Sequence, residues 1–200
     1  MSENPSEARE RVLATAEALF SARGYTSVTL RDIAAALGIR QASLYHHVPG
    51  GKEQLYIEVT ERGLRRHQMG LEAAIRETEG LRDQLRAAAR WLLSQPPMNL
   101  SRFVRSDLPA IARDHAERLL AASYSTLFAP VERALSTAAR EGEIGLRNPT
   151  LVAATFISLI EGLWDADYVG AVEHTHEAMA DELITILLDG LRPREGEAAP

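Results

Sequence analysis

Apolar side chains recur at three- and four-residue spacing along almost the whole chain, the period of an amphipathic helix. Residues 9–23 put Val12, Leu13, Ala16, Leu19 and Phe20 on one face, and Gly24 follows as a stop. A second helix opens at Thr29, a good cap, with Asp32 three residues on in a variant of the capping box. Val28 and Ile33 are spaced for a hydrophobic staple; Ile33, Ala34 and Leu37 face inward, and Gly38 closes the helix. The pattern predicts a short third helix over 41–46, before Pro49-Gly50-Gly51 breaks the chain.

A longer proline-free pattern follows over 52–78, anchored by Leu55, Val59, Leu71, Ala74 and Ile75. Further helices are predicted over 81–94, ahead of Pro96-Pro97, and within 98–112, bounded by Pro109. Residues 114–140 read as one helix kinked at Pro130, which lacks a backbone donor. Asn148-Pro149 is a helix start. It opens a segment, 148–168, that is apolar on nearly all sides through Val152, Phe156, Leu159, Ile160, Leu163 and Trp164. The last helix, 174–191, carries Met179, Leu183, Ile184, Ile186, Leu187 and Leu188, and a tail from Pro193 is expected to be disordered. No repeat or strand pattern interrupts the series. The expected fold is all-α, about nine helices.

Composition narrows the classes. Apolar residues make up 46% of the 200, enough for a sizeable core, and there is no cysteine, so disulfides and thiol catalysis are excluded. No run reads as a membrane span and residues 1–10 lack the apolar stretch of a signal peptide, so a cytoplasmic protein is expected. The net charge of -6 does not by itself suggest a nucleic-acid partner. Its distribution is more informative. Residues 1–52 hold six basic against five acidic side chains; the rest hold sixteen against twenty-three. A near-neutral end on an acidic body fits a protein that meets phosphate at one end only.

Residues 29–55 carry the function. Two short helices about a glycine turn can cross steeply, so that the second enters a major groove while the first crosses the backbone. Ile33, Ala34, Leu37, Ile39 and Leu44 supply the core that fixes the angle, which leaves Arg40, Gln41, Ser43, Tyr45 and His46 outside. With the first helix ending at Phe20, Gly24-Tyr25, Val28-Thr29, Ile33-Ala34, Leu37-Gly38-Ile39, Leu44-Tyr45 followed by a histidine, and Lys52-Glu53 with Leu55, residues 9–59 resemble the TetR family of regulators. The resemblance implies an N-terminal helix-turn-helix domain, 1–52, and a helical ligand-binding and dimerisation domain, 53–200. Beyond residue 59 it rests on helix lengths and order.

The same resemblance implies residue roles. Thr29 would offer its hydroxyl and nearby amides to a phosphate, and Tyr45, His46 and Lys52 would meet phosphates. Gln41, Ala42 and Ser43 would lie against base edges, glutamine suited to adenine and an alanine methyl to thymine. Tyr45 as a packing aromatic and Arg40 as a solvated charge are the plain alternatives. Three positions depart from the family pattern. Arg40 stands where a small capping residue is usual, Val48 replaces a phenylalanine, and Gly50-Gly51 lengthens the turn by one residue. Arg40 in that place can grip a phosphate or read guanine.

Two all-round apolar helices at the end of the chain need covering. They are expected to pair with their copies as a four-helix bundle through Phe156, Leu159, Leu163, Leu183, Ile186 and Leu187. Two recognition helices about 34–36 Å apart then read a palindromic operator in double-stranded DNA. If the family pattern holds, the body encloses a small-molecule effector, with Trp91, Met98, Phe103, Tyr124, Phe128, Trp164 and Glu161 as candidate lining; ordinary core is the alternative for each. His115, Arg105 and Asp165 are further polar candidates. His174 and His176 with Asp165 and Asp167 make a poor metal site, since an i, i+2 pair diverges on a helix, and no metal or cofactor is expected. Enzyme signatures are absent. The expected function is a repressor released by a hydrophobic or acyl-type ligand. The rival is a helical ligand- or partner-binding protein without sequence-specific DNA binding.

Overall fold

The period and capping signals become ten α-helices in a computed structural model that describes residues 5–164 and 175–192. They are α1 (Pro5–Arg23), α2 (Leu30–Ala36), α3 (Gln41–His47), α4 (Gly51–Arg76), α5 (Leu81–Leu93), α6 (Leu100–Arg102), α7 (Arg113–Ser123), α8 (Ala129–Arg140), α9 (Pro149–Gly162) and α10 (His176–Gly190). Among the described residues there is no strand, and no helix is long and apolar enough to cross a membrane. Asp165, Asp167, His174 and the tail from Pro193 lie outside the described residues. Among those described, no cluster of three histidine, cysteine or acidic side chains is placed to hold a metal ion.

Two prolines inside helical stretches are accommodated in the same way. Residues Tyr124–Phe128 widen to a π-helical turn, and the Ala129 N–H bonds the Tyr124 carbonyl five residues back, immediately before Pro130. Residues Phe103–Asp107 do the same before Pro109, with the Leu108 N–H on the Phe103 carbonyl. Shifting the ladder by one residue ahead of the ring lets the helix pass a residue that has no donor. The kink expected at Pro130 is therefore a change of register that precedes it.

The chain forms two compact units, Met1–Leu64 with Met98–Ala122 and Arg65–Pro97 with Ser123–Pro200. This differs from the expected division at residue 52. In the first unit, α1 contributes Val12, Leu13, Ala16 and Phe20 to one core with Val28, Ile33, Leu44, Leu55 and Val59. Phe103, Leu108, Ile111 and Leu119 complete the same core, so residues 98–122 belong with the N-terminal helices. Phe20, Tyr25 and Tyr56 cluster within it, Phe20 edge-on to Tyr56 at 5.2 Å between centroids and Tyr25 4.8 Å from Tyr56.

In the second unit α5 is central, packed against α8, α9 and α10, while α8 also packs on α9. The reason is its stripe of Leu81, Leu85, Ala88 and Leu92, all buried at helical spacing. Gly70 of α4 lies under the Trp91 ring, so closely that a β-carbon there would sit 2.0 Å from Trp91 Cε2. The helix start expected at Asn148-Pro149 is present: the Leu151 N–H donates to Asn148 Oδ1 at 2.9 Å.

Candidate nucleic-acid interface

Thr29 caps α2 in a full capping box. Its hydroxyl accepts the Asp32 N–H at 3.2 Å, and Asp32 Oδ2 accepts the Thr29 N–H at 2.8 Å and its hydroxyl proton at 2.6 Å. Those bonds, the side-chain one first, hold the Asp32 carboxyl below the usual carboxylate range. The Thr29 hydroxyl is thus already donating to a carboxylate, and a phosphate at this end of α2 competes with Asp32 for it.

The far end of α2 closes in a Schellman turn: the Ile39 N–H bonds the Ala34 carbonyl at 3.0 Å and the Gly38 N–H bonds Ala35 at 3.1 Å. Gly38 reaches the φ of 69° that this turn requires. The chain then re-enters helix at α3 with Arg40 as its N-cap, exposed and making no side-chain capping bond.

Within α3 only Leu44 is buried, at 0% exposure. Gln41, Ala42, Ser43, Tyr45 and His46 are all exposed, Tyr45 by 50%. Gln41 and Tyr45 share one face, with Gln41 Nε2 3.5 Å from the Tyr45 hydroxyl. Val48, the smaller replacement for phenylalanine, still plugs the core at 2% exposure. The extra turn residue is absorbed by Gly51 at φ 73°.

Lys52 is the least expected member. Its ammonium donates to the Tyr25 carbonyl at 2.7 Å and lies 4.1 Å over the centre of the Tyr25 ring. Partial burial lowers its pKa, and Asp107 opposes the shift. An ammonium has three donors, so it can serve Tyr25 and a phosphate together. Nothing in the sequence marks this pairing across 27 residues.

Polar contacts from residues 99–115 brace the same surface. Asp107, 3% exposed, accepts the Tyr25 N–H at 2.9 Å, and Arg102 donates to the carbonyls of Phe20, at 3.1 Å, and Ser21. Burial raises the Asp107 carboxyl pKa against the pull of the Tyr25 amide and Arg102. Gly24, at φ 80°, leaves room for this, since a β-carbon there would lie 2.8 Å from Arg102 Cδ. Glu53 Oε1 accepts the Ala112 N–H at 3.0 Å and contacts His115 Nδ1 at 2.8 Å. His115, expected as a ligand contact, is engaged there instead.

A surface of this make-up, a braced pair of short helices with a polar outward face, agrees with the comparisons. Residues 12–59 match the family model described as bacterial regulatory proteins, tetR family. Over that stretch the chain carries the tetR-type DNA-binding region. The HTH-type transcriptional regulator LmrA of Bacillus subtilis (strain 168) is 46% identical over 52 residues, 26% of this chain and 28% of that one. The HTH-type transcriptional repressor KstR2 of Mycolicibacterium smegmatis is 44% identical over 55 residues, 28% of this chain and 26% of that one. The matched stretch thus spans about a quarter of these curated relatives. Over 90% of this chain and 97% of the other, the fold resembles AibR in complex with isovaleryl coenzyme A and operator DNA, with a TM-score of 0.73 and 22% identity. The tetR-like region carries every residue expected to meet DNA.

The candidate ligand residues divide between the two units. Phe103 is 2% exposed in the first unit's core, and Met98 belongs to that unit as well. Trp91, Tyr124, Phe128, Glu161 and Trp164 belong to the second. Tyr124 is 44% exposed, donates to Glu132 at 2.5 Å and stacks on Phe128 at 6.3 Å. It borders an open groove of about 360 Å³ with Glu132, Arg133 and Arg140. The indole N–H groups of Trp91 and Trp164 are buried without an acceptor. Glu161 is buried and Arg105 exposed.

The expected dimer residues also divide. Phe156 and Leu163 are buried within their own chain, at 2% and 8% exposure. Leu159 and Ile186 are exposed, and Leu183 and Leu187 half-buried. The outward face of α9 is Leu151, Thr155, Ser158, Leu159 and Gly162, with no charge on it.

Proposed function

We propose that this DNA-binding regulator is a homodimeric repressor that reads a palindromic operator with α3 and leaves it when a small acyl-bearing or otherwise apolar ligand binds. The observation that carries the DNA reading is α3 itself, which buries one leucine and turns Gln41, Ala42, Ser43, Tyr45 and His46 outward. Gln41, Ala42 and Ser43 meet base edges; Tyr45, His46, Arg40 and Lys52 meet phosphates, with Thr29 a weaker contributor because Asp32 already holds its hydroxyl.

Dimerisation follows from the uncharged outward face of α9 with Ile186, Leu183 and Leu187 of α10. Exposed leucines and an isoleucine beside small residues make a self-complementary surface for a two-fold interface. Repression is supported by KstR2, described as a repressor, and an acyl ligand by AibR, described with isovaleryl coenzyme A. Two buried indole N–H groups without acceptors, on Trp91 and Trp164, suit a ligand that brings carbonyl oxygens into the second unit. Such a protein works in the cytoplasm, on DNA, and needs no catalytic step.

The test is selection of a duplex from a randomised library by the intact protein, followed by footprinting. A protected palindrome with two half-sites one turn apart is expected. Protection of a single half-site, or of no defined sequence, contradicts the reading.

A further inference from the structure

Arg9 lies on α1, ahead of the stretch that matches the family model. Its guanidinium reaches two other helices of the first unit. One amino group donates to the carbonyl of His47, the last residue of α3, and the other donates to Glu58 Oε2 of α4 at 2.5 Å. We propose that Arg9 is a positioning residue for DNA recognition, a cation held by Glu58 against the carboxyl end of the recognition helix.

Three observations make this contact matter. With seven residues, α3 is too short to be stable by itself, and one buried side chain, Leu44, fixes its rotation. Its final carbonyls have no partner inside the helix; Leu44 gives its carbonyl to the Val48 N–H, and His47 gives its own to Arg9. A cation at this end also meets the negative pole of the helix dipole. The planar fork of arginine serves the carbonyl and the carboxylate at once, which a lysine cannot match. Glu58 sets the direction of the fork, and one turn along α4 Arg62 pairs with Glu10 of α1 at 2.5 Å, so α1 is held in register beside it. Both members of the Arg9–Glu58 pair are about one-third exposed, at 33% and 34%, so its worth to global stability is small. Its effect falls on the aim of Gln41, Ala42 and Ser43.

The inference rests on the DNA-binding role above, and the experiment separates the two. The intact protein, Arg9→Ala, Arg9→Lys and Glu58→Gln are titrated against the duplex selected by the intact protein, across a range of salt. Amide hydrogen exchange is followed without DNA. Arg9→Ala is expected to bind about five- to tenfold more weakly, with an unchanged salt slope and faster exchange at the Val48 amide. Glu58→Gln is expected to weaken binding in the same direction, and Arg9→Lys to recover only part. If Arg9 touched a phosphate instead, Arg9→Ala would lower the slope by about one contact per chain, about two for the dimer, and Glu58→Gln, losing a nearby negative charge, would tighten binding; either result overturns the proposal. Unchanged affinity and unchanged Val48 exchange in Arg9→Ala also overturn it. If Arg9→Ala loses helical content, Glu58→Gln and Arg9→Lys decide by the same criteria. Failure of the intact protein to select any duplex removes the DNA-binding role itself, and the positioning role with it.

Discussion

Lys52 shows how one side chain joins fold and function. Its ammonium holds the Tyr25 carbonyl and ring while two donors remain for a phosphate. Lys52→Ala should therefore weaken binding to every duplex alike, by about tenfold or more, and reduce the salt slope by about one contact per chain, about two for the two chains on a duplex. Gln41→Ala should instead change which base is preferred within each half-site. Equal loss on all sequences for Gln41→Ala would remove its base-reading role. Asp107 supplies a second test at this scale. Its carboxyl is raised chiefly by burial, so the folded chain binds that proton more tightly than the unfolded chain. The stability it confers is fullest below the ordinary aspartate value and declines as pH rises through the raised one. Asp107→Asn cannot ionise and lacks this decline. As pH rises above the ordinary aspartate range the parent should lose thermal stability relative to Asp107→Asn; parallel curves would show that burial does not govern this carboxyl.

At the scale of the element, what the sequence shows is what local chemistry decides. The inward face of α1, the capping box at Thr29, the glycine end of α2 and the Asn148 cap all depend on residues within a turn of one another, and each is legible in the chain. The π turns before Pro109 and Pro130 are not, because a proline announces a missing donor and leaves open how the ladder passes it. Close helix approach is equally hidden: nothing in the spacing of Gly70 reveals the Trp91 ring above it. Gly70→Ala should cost about 1–3 kcal/mol by overpacking, read as a lower midpoint in urea, since its β-carbon would meet Trp91 Cε2 at 2.0 Å. An unchanged midpoint would mean the ring moves away freely.

At the scale of the molecule, the sequence gives the helices but not which core each one joins. Phe103 and Trp91 look alike as large aromatics on helices, yet Phe103 fills the first unit and Trp91 the second. Likewise Phe156 and Leu159 are both apolar residues of α9, and only burial separates the inner from the outer. The distinction yields a direct prediction for assembly. Leu159→Glu with Ile186→Glu should give a folded monomer by sedimentation, whereas Phe156→Glu should unfold the second unit. A double variant that stays dimeric would place the interface elsewhere. Operator recognition depends on the outward face of α3 meeting DNA in duplicate, and equilibrium binding of the intact protein to its selected palindrome, as a function of salt, tests this most directly. Two chains per duplex are expected and, for six or more phosphate contacts, an affinity that falls about a thousandfold or more between about 50 and 200 mM salt, with a scrambled duplex bound far more weakly at every concentration. Binding that is indifferent to salt, or equal for the two duplexes, would contradict it.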